Sequence, residues 1–400
     1  MKILHWDEMF HPSFGYQINL LANFQAKKGH EVIIFTSDKI EKHPTFSGFG
    51  NNENIQEEDH LYEQKYGVKI VRLPIHGVIS SRVIYKKGYL KKIKELNPDV
   101  LMCHTNDTLS SIRIAQKYKY LNLPIVFDNH MLEMASRNPL RKLFQIYFRQ
   151  FVTPIIIKNN WTVIRTQDDE YINKCLGIPK NQTPFISFGT DTTLFHPDDE
   201  IKKKFRAEHD IPHNEFVVIY TGKLNEVKGG KLLANAFKEK FDSEKNITLI
   251  VLGNTTSDYE KEVEEIFHKS KNRILQFPTQ KYFDLPKFYQ ASDLSIFPKQ
   301  CSLSFFDAQA CGLPVVSEDN NINRNRLLFD NGFNFKCGDL YDLREKILYC
   351  SKMDDLSYSK LKQNATHYIK THWDYPLIEK QYTDILLNEV EKFEGSTKKK

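Results

Sequence analysis

The sequence feature that most constrains the fold is a segment that joins a buried strand, a loop, a helix and a second strand. An apolar run with β-branched residues ends at Pro298, as a buried strand does. After the loop 299–302, residues 303–311 have helical spacing, and Gly312 and Pro314 stop this helix before the next strand. This order is one βαβ unit, with its loop at the carboxyl end of a strand. Ligands of parallel sheets bind at such ends, because the free N–H groups of the helix point there.

The length of 400 residues predicts two domains, because one hydrophobic core rarely grows to that size. A hydrophobic content of 40% and a charged content of 27% are ordinary for a globular protein. The net charge of +5 is mild, so the overall charge does not indicate a nucleic-acid partner. The six cysteines show no CxxC pair and no metal-ligand spacing, which favours free thiols in a reducing cytosol. The N-terminal segment lacks the apolar core of a signal peptide. We therefore expect a cytoplasmic protein.

A second loop with ligand-binding character is TGKLNEVKGG, which follows a predicted strand at 216–220 and precedes a predicted helix at 231–240. Lys223 and Lys228 stand at the two ends of this loop. Two amines at a strand's carboxyl end can pair with both phosphates of a nucleotide diphosphate. Surface lysines are common, so the spacing alone does not distinguish a diphosphate site from a solvated loop.

The N-terminal half offers two histidines and a glycine at positions where a cleft is expected. His104 and His130 each follow an apolar strand closely. A histidine at a strand end is more often a hydrogen-bonded structural residue, and His104 is interpreted in this way. Gly15 precedes a helix predicted for 17–28, where a diphosphate can approach the backbone; a plain tight turn is the alternative.

Two basic segments of the first half allow contact with an anionic surface. Residues 82–94 are predicted to form a lysine-rich helix, whose usual role is a solvated face. Residues 139–157 mix basic, aromatic and aliphatic side chains and are predicted as one helix, which either packs on the sheet or lies on an anionic membrane. Residues 41–67 are polar and acidic, and the stretch HPTFSGFGNNEN within them, residues 43–54, is predicted to be a poorly ordered loop.

The chain resembles retaining glycosyltransferase family 4, which includes sucrose synthase-type and phosphatidylinositol mannosyltransferase-type enzymes and has the GT-B fold. The segments that carry the resemblance are AQACGLPVV, FGYQINLLANFQAKKGHEV, DNHMLEM, GTDTTLFHP and TGKLNEVKGG. The resemblance implies two Rossmann-like doubly wound α/β domains that face a central cleft, with a C-terminal helix crossing back to the first domain. The predicted parts are an acceptor-side domain 1–195, a nucleotide-sugar-binding domain 196–372, a returning helix 373–394 and a tail 395–400.

The resemblance also implies roles for single residues. His130 lines the sugar site and, with Lys228, is predicted to be catalytic. The donor diphosphate is assigned to Gly15, Lys223, Lys228, Ser302, Leu303 and Ser304. The ribose is assigned to Asp307, and the nucleobase to the backbone of Phe277, Pro278 and Thr279.

One position departs from the family pattern, which has two glutamates separated by seven residues. Asp307 matches the second, whereas Lys299 occupies the first, with Gln300 beside it. A charged hydrogen bond contributes about 1.5–3 kcal/mol, so its loss slows transfer roughly ten- to a hundredfold without abolishing it. Two hypotheses place these residues at the sugar: Gln300 contacts its hydroxyls as a neutral partner, or Lys299 recognises an acidic sugar.

The prediction is a retaining, metal-independent hexosyltransferase that needs no cofactor. It moves a sugar from a nucleotide-diphosphate donor, expected to be UDP-linked, to a hydroxyl of a glycan, lipid-linked or protein acceptor. Contact with the inner face of a membrane through the basic segments is part of this expectation. A catalytically silent glycosyltransferase-like subunit that binds a partner protein is the alternative, supported by the altered acid motif. A sugar-nucleotide epimerase on the same fold matches the loops less well. The sugar, the acceptor and the oligomeric state stay open.

Overall fold

The computed structural model describes residues 1–39, 54–79, 82–133, 138–299 and 301–397. The chain divides into two compact units, of which the first combines Met1–Phe188 with Tyr375–Lys400 and the second is Gly189–Asp374.

The first unit is built on a parallel sheet. Its strands are β1 (Lys2–Trp6), β2 (Glu31–Ser37), β3 (Val68–Leu73), β4 (Ile75–Ile79), β5 (Arg82–Tyr85), β6 (Val100–Cys103), β7 (Ile125–Asn129) and β8 (Val163–Arg165). Six of them form the sheet in the order β3-β2-β1-β6-β7-β8, while β4 and β5 form a separate antiparallel pair. Every residue of β6 and β7 is buried, as expected for strands covered on both faces.

Helices cover this sheet. They are α1 (Gln17–Lys27), α2 (Ile55–Tyr66), α3 (Tyr89–Leu96), α4 (Leu109–Gln116), α5 (Tyr118–Leu121), α6 (Arg141–Phe151), α7 (Thr153–Lys158) and α8 (Tyr171–Lys174).

The second unit repeats the architecture. Its strands are β9 (Phe216–Thr221), β10 (Ile247–Leu252), β11 (Arg273–Phe277), β12 (Leu294–Phe297), β13 (Val315–Glu318) and β14 (Gly332–Phe335), in the sheet order β11-β10-β9-β12-β13-β14. Its helices are α9 (Asp199–Glu208), α10 (Gly230–Ala236), α11 (Asp258–His268), α12 (Pro286–Ala291), α13 (Ser304–Ala310), α14 (Asn321–Arg326), α15 (Leu340–Ser351) and α16 (Asp355–His372).

Both sheets have the strand order of a doubly wound nucleotide-binding fold, so the predicted fold class is confirmed. The order reverses between β1 and β6 in the first unit and between β9 and β12 in the second. Ligands of such sheets bind at this reversal, outside the carboxyl ends of the strands.

The C-terminal helix α17 (Tyr375–Thr397) packs on the first unit, as predicted. The hydroxyl of Tyr375 donates to the carbonyl of Gln17 over 2.8 Å, and Tyr382 is fully buried. The helix continues to Thr397, so the prediction of a tail from residue 395 is wrong for its first three positions.

The division between the units falls after Phe188, a few residues earlier than the predicted boundary after residue 195. Thr190 forms a β-bridge with Asp374, and the ring of Phe195 packs on Tyr289. These contacts place the linker in the second unit. On the return, the first unit resumes at Tyr375 rather than at residue 373.

Two predicted elements differ from the structure. Residues 82–94 are not one helix, because Arg82–Tyr85 forms β5. The helix α3 begins only after Gly88, whose left-handed backbone (φ 105°) cannot belong to a right-handed helix. The helix predicted for 139–157 is interrupted at Val152, because Pro154 has no N–H to continue the hydrogen-bond ladder of α6.

The polar segment 41–67 forms α2 in its second part, and Tyr62 of this helix packs edge-on against Phe10. The loop predicted for 43–54 lies outside the described part of the chain, apart from Asn54, the N-cap residue of α2. Among the described residues, no helix has both the length and the apolar character that crossing a membrane requires.

Candidate functional site

Lys228 joins two loops at the strand reversal of the second sheet. The chain leaves β9 and forms a single 3₁₀ turn at Glu226–Lys228, where the side chain of Asn225 accepts the N–H of Lys228 over 3.1 Å. The Nζ of Lys228 donates to the carbonyl oxygen of Cys301 over 3.0 Å. Burial lowers the pKa of Lys228, because the amine loses water without gaining a carboxylate in this contact.

Two glycines allow this turn to close. Gly229 has a left-handed backbone (φ 79°), and a Cβ on Gly230 would lie 1.9 Å from the carbonyl oxygen of Leu224. Residues 229 and 230 are therefore glycines because the backbone turns sharply and passes close to Leu224 where it carries Lys228 to the neighbouring loop.

Lys223 lies on the same loop with its side chain exposed. Its carbonyl oxygen accepts a hydrogen bond of 2.6 Å from the hydroxyl of Tyr220, which fixes its backbone. The structure thus places the Lys228 amine against the loop before α13, and it shows no such contact for Lys223 within the described residues.

Arg326 holds the next carbonyl of the same loop. Its Nη1 donates to the oxygen of Ser302 over 2.8 Å, and its guanidinium lies over the rings of Phe305 and Phe306 at 5.3 and 4.8 Å. Two cations therefore hold two successive carbonyl groups, at Cys301 and Ser302, directly before α13.

Leu303 and Ser304 stand where α13 begins, and the first N–H groups of a helix have no acceptor within it. Leu303 has helical dihedral angles (φ −69°, ψ −33°) and offers no capping side chain. Backbone donors are thus available next to the loop that Lys228 and Arg326 fix.

Asp307 is a buried acid on α13, with 8% of its surface exposed. Its Oδ1 accepts a hydrogen bond of 2.6 Å from the hydroxyl of Thr190. Burial raises the pKa of Asp307 to about 7, and the bond from Thr190 offsets only part of this rise. Without a ligand, the carboxyl group is therefore partly protonated at neutral pH.

The segment Phe277–Thr279 leaves the end of β11. The Phe277 ring packs on Phe288, and its carbonyl oxygen accepts the N–H of Gly253 over 3.1 Å. The N–H of Thr279 donates to Oδ1 of Asn254 over 2.8 Å. These bonds fix the backbone that was assigned to the nucleobase, at the same edge of the sheet as the Lys228 loop.

Lys299 is half-buried. It lies beside Gly229, where an added Cβ would be 3.1 Å from the Cβ of Lys299. Gln300 lies outside the described residues. The assignment of both to the sugar remains a prediction.

A cluster of acid and base groups occupies the strand reversal of the first sheet. Nδ1 of His104 lies 2.8 Å from Oδ2 of Asp128, as expected for a hydrogen-bonded histidine, and its Nε2 lies 2.9 Å from Nδ1 of His5. Nε2 of His130 lies 3.0 Å from Oδ1 of Asp128. Only His130 is partly exposed, with 32% of its side chain accessible.

The charges of this cluster stabilise one another. Burial alone would raise the pKa of Asp128, but His130 and His104 hold it well below its ordinary value. Burial alone would lower the pKa of His130, but the neighbouring Asp128 raises it.

Ligand atoms of His104, Asp128 and His130 lie within 4.8 Å of one another, a spacing also found around metal ions. The contact between His104 and Asp128 is a direct hydrogen bond, which a metal ion would have to replace. We interpret His104 and Asp128 as a hydrogen-bonded pair, with Nε2 of His130 at ion-pair distance from the same carboxylate.

Gly15 is half-buried and stands two residues before α1. The N-cap residue Tyr16 makes no side-chain capping bond, so the start of α1 leaves N–H groups for another acceptor. Its assignment to the diphosphate stays a prediction.

Two family models together match most of the chain. The model "Glycosyltransferase Family 4" matches residues 15–194, and "Glycosyl transferases group 1" matches residues 201–368. The chain belongs to the GT4-like glycosyltransferases.

Single relatives are distant from this chain. It is 22% identical to spore coat protein SA of Bacillus subtilis over 46% of its own chain and 52% of that protein. It is 30% identical to D-inositol 3-phosphate glycosyltransferase of Segniliparus rotundus over 32% and 30% of the two chains. The chain thus spans about half or less of these relatives. The crystal structure of Anabaena Alr3699/HepE in complex with UDP and glucose has a TM-score of 0.72 at 19% identity, over 97% of this chain and 100% of that one.

Sequence reasoning missed three residues of the candidate sites: His5, Thr190 and Arg326. His5 could have been found, because it is a polar residue in an apolar strand. This strand, β1, pairs with β6, and His104 directly follows β6. Thr190 and Arg326 are distant in sequence from Asp307 and Ser302, and no local pattern connects them.

Proposed function

We propose that this glycosyltransferase transfers a sugar from a UDP-linked donor to a hydroxyl of a glycan, lipid-linked or protein acceptor, with retention of configuration and without a metal or cofactor. The observation that carries the proposal is the Lys228 amine, held 3.0 Å from the Cys301 carbonyl next to the free N–H groups of α13. The UDP complex of the Anabaena protein supports the choice of nucleotide.

The chemistry follows from the charge of the leaving group. As the bond to the sugar breaks, the departing diphosphate gains negative charge, so a cation beside it stabilises the transition state more than the ground state. The amine of Lys228 is well suited to this role, because burial has already removed much of its water. Asp307, once ionised, accepts the ribose hydroxyls.

The test measures UDP binding by calorimetry and UDP release from a panel of sugar nucleotides. Lys228→Ala removes the phosphate contact and is expected to weaken UDP binding at least about tenfold. Lys245→Ala, at an exposed lysine of the same unit, is the matched control and should bind as the unchanged protein does. Unchanged binding in Lys228→Ala contradicts the phosphate assignment. If the protein neither binds UDP nor releases it from any donor, the result favours the silent subunit instead.

We also propose that helices α6 and α7 lie on an anionic membrane. Large apolar side chains are exposed along them at Leu140, Leu143, Ile146, Tyr147, Phe151 and Ile157. Exposed Arg141, Lys142 and Lys158 accompany them, and residues 138–167 contain no acidic residue. An apolar face with basic neighbours binds the headgroup region of anionic lipids.

Vesicle sedimentation tests this surface. The protein is expected to bind phosphatidylglycerol vesicles, to bind phosphatidylcholine vesicles less, and to be released by salt. The variant Leu143→Gln/Ile146→Gln should lose binding, while Leu356→Gln, at an 82% exposed leucine of the second unit, should keep it. Equal binding of both variants contradicts the proposal.

A further inference from the structure

A continuous chain of polar side chains runs through the first unit from His130 to helix α17. Beyond Asp128, His104 and His5, the Nε2 of His5 lies 2.7 Å from Oε1 of Gln25. The side-chain amide of Gln25 donates to the hydroxyl of Thr383 over 3.2 Å, and this hydroxyl donates to Glu379 over 2.7 Å. Every member from Asp128 to Glu379 is at least nine-tenths buried.

The protons in this chain can be assigned from its far end. The single proton of the Thr383 hydroxyl goes to the Glu379 carboxylate, so the hydroxyl oxygen must accept the amide N–H of Gln25. The carbonyl oxygen of Gln25 therefore faces His5, and Nε2 of His5 must carry a proton to donate to it. Helix α17 thus fixes the tautomer of a histidine in β1.

This tautomer in turn fixes the charge of His104. Burial lowers the pKa of His5 to about 3, so His5 carries one proton and its Nδ1 accepts. Nε2 of His104 must then donate to His5, while Nδ1 of His104 donates to the ionised Asp128. A histidine that donates from both nitrogens is an imidazolium. His104 is therefore a buried cation between a neutral histidine and a carboxylate.

The Asp128 carboxylate is consequently shared. Its Oδ2 accepts from His104, and its Oδ1 accepts the N–H of Thr105 over 2.8 Å and faces Nε2 of His130. With Nε2 turned to Asp128, the other ring nitrogen of His130 is the one left for a ligand. The other acidic groups whose charge acts on His130 are Asp7, after β1, and Asp107, before α4. From α17, Tyr375 and Tyr382 are the titratable groups on which the charge of Asp128 acts.

We propose that His5 and His104 are positioning residues for sugar transfer: His5 keeps His104 positively charged beside the Asp128 carboxylate, and this arrangement sets the orientation and charge of His130 at the sugar. This proposal rests on the proposed function, because it takes His130 as the group that contacts the sugar. Neither His5 nor His104 touches the substrate; both act through Asp128.

The pH dependence of kcat/KM separates this role from a merely structural one. His104→Gln removes the positive charge. His5→Phe removes the acceptor of the His104 Nε2 proton, so His104 keeps only its proton toward Asp128 and becomes neutral. In both variants His130 retains its proton to higher pH, and the limb of the profile that reports His130 should move upward by about one pH unit. His76→Gln, at an exposed histidine of the same unit, should leave the profile in place. Lower activity with an unmoved limb in both variants overturns the proposal.

A measurement on the unchanged protein tests the proton arrangement without any turnover. In ¹⁵N spectra of histidine-labelled protein, His104 is expected to show two protonated ring nitrogens at pH 7.5, and His5 to stay neutral with its proton on Nε2 down to about pH 5. A neutral His104 at pH 7.5 overturns the proposal even if the variants fail to fold. If no donor is turned over, the proposed function fails, while these spectra still decide the arrangement.

Discussion

Replacing Asp307 by asparagine should stabilise the protein while it weakens the binding of the donor. The two side chains have nearly the same shape, and the Oδ1 of asparagine can accept the same bond from Thr190. The substitution therefore changes the charge of a buried site and little else. Asparagine offers the ribose one acceptor oxygen, where an ionised carboxylate offers two.

The size of the stabilisation follows from the pKa of Asp307. Burial raises this pKa from 3.8 to about 7 in the folded state. A folded pKa above the unfolded one means that stability is complete at low pH and is lost as the pH rises. At about 1.4 kcal/mol per pH unit, the loss begins near pH 4, ends near pH 7 and amounts to about 4 kcal/mol above that. Asparagine does not ionise, so the variant avoids this loss.

Thermal unfolding between pH 4 and pH 8.5 measures the effect. We expect wild type and Asp307→Asn to unfold at similar temperatures near pH 4, with the variant ahead by several degrees at pH 8.5, since 1 kcal/mol corresponds to about 2–4 °C at this domain size. Asp242→Asn, at an exposed aspartate of the same unit, should follow the wild type throughout. A difference that does not change with pH would refute the reasoning, because the carboxyl group would then ionise alike in both states.

Three further predictions concern the same protein. UDP binding should weaken by up to about tenfold per pH unit below pH 7, because protonated Asp307 cannot accept two ribose hydroxyls, and calorimetry should show a flat profile in Asp307→Asn. Arg326→Lys keeps the charge but loses the planar contact with the Phe305 and Phe306 rings, so UDP should bind about tenfold more weakly, with no change in the pH profile. Transfer measured in EDTA should equal transfer without it; a loss that added Zn²⁺ restores would show that the His104 cluster holds a metal.

The sequence predicted elements whose signal is local. Val68–Leu73 has the bounds expected from its β-branched run, and α13 differs from its predicted range only by the terminal residues. For the hairpin strand Arg82–Tyr85 the sequence pattern predicts a helix, because four residues are too few to distinguish alternation from helical spacing. Its pairing with β4 decides the conformation, and a local pattern does not contain that information.

The candidate sites divide in the same way. Lys228 and Asp307 could be predicted because each lies in a local sequence motif, Lys228 in the loop after β9 and Asp307 near the start of α13. The side chains that control them come from elsewhere, since Thr190 reaches Asp307 across 117 positions and His5 reaches His104 across 99. The contact of His5 follows from the order of the strands, which brings β1 beside β6, and the contact of Thr190 follows from the path of the chain before α9.

Asp128, Asp307 and Lys228 differ in how their charge is satisfied, and this difference indicates where a ligand binds. Asp128 is surrounded by donors, so burial does not prevent its ionisation. Among the described residues, Asp307 has a single hydroxyl donor and Lys228 a single carbonyl acceptor, and burial raises the pKa of the acid and lowers the pKa of the amine. A molecule that brings hydroxyl donors to the acid and negative charge to the amine would restore both charges. A nucleoside diphosphate carries these two features, ribose hydroxyls and phosphate oxygens, on adjacent parts of one molecule.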